Sequence, residues 1–294
     1  MPASLSSAAS LTREQVQAIL VEPLEQASVF LAAGPRIFDT DGSPVRVPKL
    51  TAMDAPAFIG ENTQIDEVEG TFDEVTLLPS SMKSVKSLTR FSNELARQSV
   101  IALDAALRDR MVRDVAAMLD QAFITGDGGS PAGSEPTGIL NADDITVVDA
   151  TTGTIDLDKL MDSIGAALAA NADPASMRWM MCSRDWINVR KLKDQQDRYQ
   201  LTPDPSQAGA FQLFGIPVTV TNRIPSDGGV GEDESTIALV DFAQIAVARD
   251  VQPSVTILDQ TFGDYDQQAI RVVARYDVAP LNPEAVVVLQ AVTG

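Results

Sequence analysis

Histidine is absent from the 294 residues, and Cys182 is the only cysteine. Ser-His-Asp and Cys-His catalysis both need an imidazole, so neither can be built here. A structural zinc site takes about four Cys or His ligands, and the chain offers a single candidate. One cysteine also excludes an internal disulfide and fits a reducing compartment. Basic residues are scarce, 22 against 41 acidic ones, for a net charge of −19. A field of that sign repels phosphates, which argues against specific DNA or RNA binding over most of the surface. It suits a soluble protein, or one that surrounds DNA without adhering to it. No apolar run is long enough to span a bilayer. The opening MPASLSSAAS lacks the charged region and apolar stretch of a signal peptide.

Apolar residues make up 45% of the chain, enough for a substantial core, and the length suits two domains or one with large excursions. The most organised stretch is Ser92 to Phe123. Leu103, Leu107, Met111, Val115, Met118 and Ala122 recur at steps of three and four, which predicts one buried face of a long helix. Asp104/Arg108, Asp109/Arg113 and Arg110/Asp114 are spaced as supporting ion pairs. Ser92 is a candidate N-cap and Gly126 a stop. A continuous helix here would be about 48 Å long at ~1.5 Å per residue.

Upstream, residues 1–10 read as disordered. Thr12 and Gln15 resemble a capping box before Val16, Ile19 and Leu20, and a second helical stretch runs from Leu24 to Ala33 before Gly34-Pro35. Pro44 to Leu50 carries two prolines and reads as an edge strand or extended arm. Phe58 to Thr89 predicts a long hairpin turning near Glu69-Gly70-Thr71. Its acidic residues are Glu61, Asp66, Glu67, Glu69, Asp73 and Glu74, with no base before Lys83, Lys86 and Arg90. An acidic tip on a basic root suits a flap laid over a neighbouring copy's root. The same pattern also suits a solvated ribbon whose charges protect its edges. A lone two-stranded hairpin is marginal in water, so something should cover it.

Downstream of the helix, the Gly-rich loop at 125–130 has neither a following GK[ST] nor a GxGxxG spacing, so it reads as a turn. Asp156 can cap a helix with Leu157, Leu160, Met161, Ile164 and Leu168 on one side. Met177 to Cys182 reads as a buried strand with an inert core thiol, and Ser183 caps a short helix through Lys193. Arg184 to Arg198 forms a locally basic patch, solvated or subunit-facing. Phe214 to Thr221 and Thr236 to Asp241 are strands about a Gly/Asp-rich loop at 226–234. Ile270, Val272, Ala274 and Tyr276 alternate with Arg271, Val273, Arg275 and Asp277, and Ala285 to Leu289 is continuously apolar. The class is α+β, without an internal repeat. Asp143-Asp144, Asp264/Asp266 and Glu232-Asp233-Glu234 could each be drawn as acid/base pairs, and Asp39 to Gly42 as the start of a calcium loop. None has the spacing of a calcium loop, and a solvated surface explains them.

In order, these pieces resemble the major capsid proteins of tailed bacteriophages, the Hong Kong ninety-seven type of subunit. LTREQVQAILVEPLEQASV (11–29) is similar to that family's N-terminal arm and FIGENTQIDEVEGTFDEVTL (58–77) to its extended loop. The 92–123 helix with FITGDG and PTGIL resembles its spine helix and the passage into the next domain. WMMCSRDWINVRKLKDQQDRY, LFGIPVTVTNRIP, IALVDFAQIAVARD and the alternating strand follow in family order.

The resemblance implies an arm over 1–50, an extended β-hairpin loop over 51–90, a peripheral domain over 91–130 and 261–294, and an axial domain over 131–260. It implies a structural, non-catalytic subunit without cofactor or metal, assembling through hexamers and pentamers into an icosahedral shell around double-stranded DNA. Its partners would be further copies, with separate scaffolding, portal and cement proteins, and its place the virion, assembled in the host bacterial cytoplasm. The chain starts almost at the arm, which leaves no fused scaffolding domain. The loop's acids and the root's Lys83, Lys86 and Arg90 become candidate inter-subunit contacts. Some relatives cross-link a loop lysine to an asparagine; no lysine lies between Leu50 and Met82, so no such bond is expected at the loop tip. Rival readings are an encapsulin-like compartment and a carboxylate-dependent hydrolase.

Overall fold

The computed structural model describes residues 28–53, 70–78, 83–92, 103–129, 133–149, 151, 153–201, 211–250, 254–258, 261 and 265–293. In chain order its strands are β1 (Arg36–Thr40), β2 (Val45–Met53), β3 (Gly70–Leu77) and β4 (Ser84–Ser92). Helix α1 (Leu103–Thr125) separates these from β5 (Thr146–Asp149) and β6 (Gly153–Thr154). Then come α2 (Leu157–Ala169), β7 (Met177–Met181), α3 (Ser183–Arg190), β8 (Gln212–Leu213), β9 (Ile216–Val220) and β10 (Ser235–Asp241). The chain ends through β11 (Ile245–Asp250), β12 (Ser254–Leu258), β13 (Gln267–Pro280) and β14 (Val286–Thr293).

Two sheets share one core. The long strand β13 organises the first: β4 and β12 pair along its early part, β11 along its later part, and β1 lies parallel to β11. The second sheet runs β5-β14-β10-β7-β9-β8, with β6 also on β14. Between the sheets lies α1, burying Met111, Val115, Leu119 and Phe123 on one line and Val112 and Ala116 beside it. Ile270, Val272 and Tyr276 of β13 meet them from one side, and Met180, Val240, Val286 and Val288 from the other. The opposite face of the second sheet packs under α2 and α3 through Leu160, Ala167, Trp186 and Val189. Here the expected buried strands hold: all of Ala285–Leu289 is at most 1% exposed.

The structure corrects several expectations. Ser92 caps no helix; it ends β4, opposite Gln267. The face of α1 is broader and rotated, because it packs on two layers, and Met118 is 58% exposed. On α2 the buried positions are Leu160, Ser163 and Ala167, whereas Met161 and Leu168 face outward. Helix α3 starts at Ser183 itself and ends at Arg190. Residues 28–33 form a turn and a short 3-10 helix instead of α-helix. The expected disorder of residues 1–10, the capping box at Thr12 and Gln15 and the first helical stretch lie outside the described residues.

The hairpin also differs. Gly70 and Thr71 do not turn; they pair with Met53 and Ala52, so the ribbon is β2 with β3. The extended reading of 44–50 survives as β2. The second arm expected for the hairpin is β4, a strand of the first sheet. Chain segments cross the expected domain limits as well. Residues 28–40 are built into the body through the core and β1. β11, expected in the axial part, pairs with β13, and β14, expected in the peripheral part, pairs with β5 and β10.

Candidate assembly interface

The ribbon pairs with no third strand among the described residues, yet its root is fastened. Leu77 and Leu78 are buried with Ala246 and Ala248 and packed by Phe38, Val45, Val75 and Leu281. Just beneath, Asp277 is 2% exposed and does three things at once. One of its oxygens accepts from the Leu78 N–H at 2.8 Å. The other accepts from the Lys83 ammonium at 2.8 Å and from the Val278 N–H. One carboxylate therefore holds the chain at both 78 and 83. In apolar surroundings such charge-assisted bonds are strong, and leaving any partner unpaired is costly.

Of the candidate contact residues, Lys83 is thus turned into its own subunit rather than presented to a neighbour. Lys86 and Arg90 are exposed and lie on the same face of β4 as Leu88, itself 47% exposed. Val85 and Phe91 occupy the opposite face and pack on the core. Glu74 is exposed on β3 and lies 3.4 Å from Arg46 across the ribbon. Asp73 pairs with Lys49 in the backbone register. Glu61, Asp66, Glu67 and Glu69 lie outside the described residues. Between β4 and α1 runs a cleft of about 410 Å³, lined by Lys83, Lys86, Asp114, Met118, Glu135 and Tyr276 among others.

The end of α1 is closed by the segment that begins Pro136-Thr137-Gly138. A helix leaves its last carbonyls without intrahelical donors. Here Ile139 N–H donates to Phe123 O at 2.8 Å and Leu140 N–H to Ile124 O at 3.1 Å. The Asn141 amide reaches both Thr125 O and Gly126 O at 3.0 Å. The glycines are there for closeness: a Cβ on Gly138 would stand 2.6 Å from Gly126 N and Ile124 O. The Gly-rich loop is a cap and turn, as its sequence implies.

Buried aspartates, not noticed in the sequence, repeat the pattern seen at Asp277. Asp120 of α1 accepts from Val29 and Phe30 N–H groups and from the Ser28 hydroxyl, which fixes the start of the described chain to the helix. Asp241 accepts from Asp173 N–H, Ala243 N–H and the Gln244 amide. Asp250 takes Arg275, and Asp185 takes the Ser235 hydroxyl and Arg184. The sequence signal existed for Asp120, the one acid in the largely apolar stretch from Met118 to Ile124.

Arg184, from the basic patch, also donates to Ser226 O, Asp233 O and Val292 O, so this member of the patch is structural. The acid pairs weighed as catalytic behave differently. Asp143, Asp144, Glu232, Asp233 and Asp266 are exposed, Asp264 lies outside the described residues, and Asp39 pairs with Arg249 at 2.8 Å. No group of three His, Cys, Asp or Glu converges on a metal position among the described residues. Burial pushes the Cys182 thiol above its ordinary pKa, which keeps it protonated and unreactive. No helix among the described residues is long and apolar enough to cross a membrane.

The family model of phage capsid proteins matches residues 9–291. The chain belongs to the phage capsid family. As a member it is a structural protein of the virion type and not an enzyme, in agreement with the missing imidazole. The major capsid protein of Klebsiella oxytoca phage phiKO2 is 23% identical over 295 residues, covering 94% of this chain and 67% of that protein. The major capsid protein of Escherichia phage T5 is 22% identical, with 76% of this chain and 47% of the relative covered. The chain therefore spans about two thirds of the first relative and about half of the second. Among solved structures, the capsid of a native GTA particle shares the fold at a TM-score of 0.73, 18% identity and 90% coverage of both chains. Microbacterium phage Oxtober96 matches at 0.69 and 15% identity, covering 86% of this chain and 84% of the other.

Proposed function

We propose that this chain is the major capsid subunit of a tailed phage, assembling through hexamers and pentamers into an icosahedral shell around double-stranded DNA. The carrying observation is the ribbon: two paired strands, fastened at one end by Asp277 and extended without a third strand among the described residues. An isolated two-stranded ribbon is marginal in water, and a family whose members build shells supplies the cover, a sister subunit. Arm, loop, peripheral and axial parts then serve as the contact-making and scaffold-forming portions of one subunit, joined by the crossings of β11 and β14. Lys86, Arg90 and Glu74 remain the described candidates for contacts between copies. The net charge of −19 supports a lumen in which DNA is enclosed without sequence-specific binding. Separate scaffolding, portal and cement proteins, and assembly in the bacterial cytoplasm, belong to the same proposal. The named relatives favour a genome-enclosing shell over an encapsulin-like compartment or a hydrolase.

Negative-stain microscopy of the purified protein tests this directly. Closed shells or ring-shaped capsomers are expected; a discrete species at 31.3 kDa or twice that mass, with no larger particles, would overturn the reading. Boiled in detergent, the shells should give a single monomer band, because the loop supplies no lysine. A covalent ladder would refute that part.

A further inference from the structure

Gly165 stands midway along α2, exposed, and a Cβ built on it would meet nothing within 4 Å. A mid-helix glycine is less stable than alanine because it gives up more backbone freedom. Nothing among the described residues requires the missing side chain. On the same outer face lie Met161 and Leu168, each 49% exposed, and the exposed Asp158 and Asp162. Helix α2 thus shows an apolar strip with a notch at its centre and an acidic margin. The stretch from Asp143 to Asp173 contains seven aspartates and one lysine. That lysine, Lys159, is taken by Asp149 at 3.1 Å.

The far end of the same sheet has the opposite character. Helix α2 lies over β5 and β14 at one end, and β9 and β8 form the other. Trp186 of α3 packs there at a tilt against Phe211, at 5.7 Å between centroids. Phe211 is 52% exposed, Ile187 47% and Phe214 41%. Between Arg184 and Arg198 there are five basic residues and three acidic ones, of which Asp185 is buried. A net positive, partly aromatic rim is unusual on so acidic a chain. Within one copy the two surfaces are held apart, since three strands, β14, β10 and β7, stand between β5 and β9. Complementary surfaces at opposite ends of one sheet suit head-to-tail contacts, which give rings where the rotation between copies closes.

We propose that the outer face of α2 receives the rim beside α3 from a second copy, and that the Gly165 notch admits a rim side chain. This rests on the shell reading and names the surfaces that would join copies around a ring. Full-length Gly165→Gln should melt at or above about the wild-type temperature, and Asp158→Lys with Asp162→Lys, and Lys191→Glu with Lys193→Glu, only slightly below it. Each should lower the yield of capsomers and shells at least about tenfold, as read by sedimentation. Both charge reversals placed in one chain should restore assembly.

If wild type assembles and Gly165→Gln or either reversal alone assembles equally, or the combined reversal stays unassembled, the inference fails. If wild type does not assemble, the shell reading itself fails, a separate result. Should a variant melt low, zero-length carbodiimide cross-linking of wild-type shells made from mixed nitrogen-14 and nitrogen-15 copies decides. Heavy-to-light links from 143–173 to Lys191 or Lys193 support the contact, and their absence overturns it.

Discussion

Asp277→Ala is expected to be the most damaging single truncation near the ribbon, costing about 3–5 kcal/mol, the usual range for removing one partner of a buried ion pair. The carboxylate is 2% exposed, and its loss strands the Lys83 ammonium together with the Leu78 and Val278 N–H groups. Lys83→Met should cost less, about 1–3 kcal/mol, because Asp277 keeps both backbone donors. Urea unfolding of the unassembled protein measures both, and a double-mutant cycle isolates the pair. If Asp277→Ala proved as mild as an ordinary surface change, the root would not be held as described. The sheet would survive the loss better than the ribbon, whose chain is gripped at 78 and 83.

Gly138→Ala is expected to follow closely, at about 3 kcal/mol, the upper end for forcing an extra methyl group into a packed site. The methyl would lie 2.6 Å from two backbone atoms of the α1 terminus, which cannot swing aside as a side chain could. Gly126→Ala should behave alike, since its Cβ would fall 2.3 Å from Pro136 O. Opening that junction would also free the Phe123 and Ile124 carbonyls from their donors. Differential calorimetry should show melting lowered by several degrees; an unchanged transition would mean that the helix end and the 136–140 segment are not in contact.

Legibility followed locality. The Asp156 cap came from a short-range rule, and the structure shows its carboxylate on Leu157 N–H at 2.7 Å. Strand β13 was readable from its alternation, β7 from an apolar run broken only by Arg178, and β14 from the continuously apolar Ala285–Leu289. What escaped depended on partners far away in the chain. Gly70 looked like a turn residue because nothing nearby announces that Met53 will lie opposite it. Asp277 occupied the polar phase of β13, yet the ribbon root buries it. Met118 fitted a single stripe on α1, but packing on two layers gave its place to Val112, Ala116 and Leu119. Among the contact candidates, the sequence grouped Lys83 with Lys86 and Arg90 as one basic stretch. It did not reveal that Lys83 is held inside while Lys86 faces water.

The placement of β14 has a consequence for biogenesis. The strand is inserted between β5 and β10, so residues 146–149 and 235–241 stay apart until residue 293 has been made. Pairing across such sequence distances is slow and comes late. A nascent polypeptide therefore lacks a finished second sheet until β14 has been made. Whatever contact needs that sheet has to wait for its last-made strand.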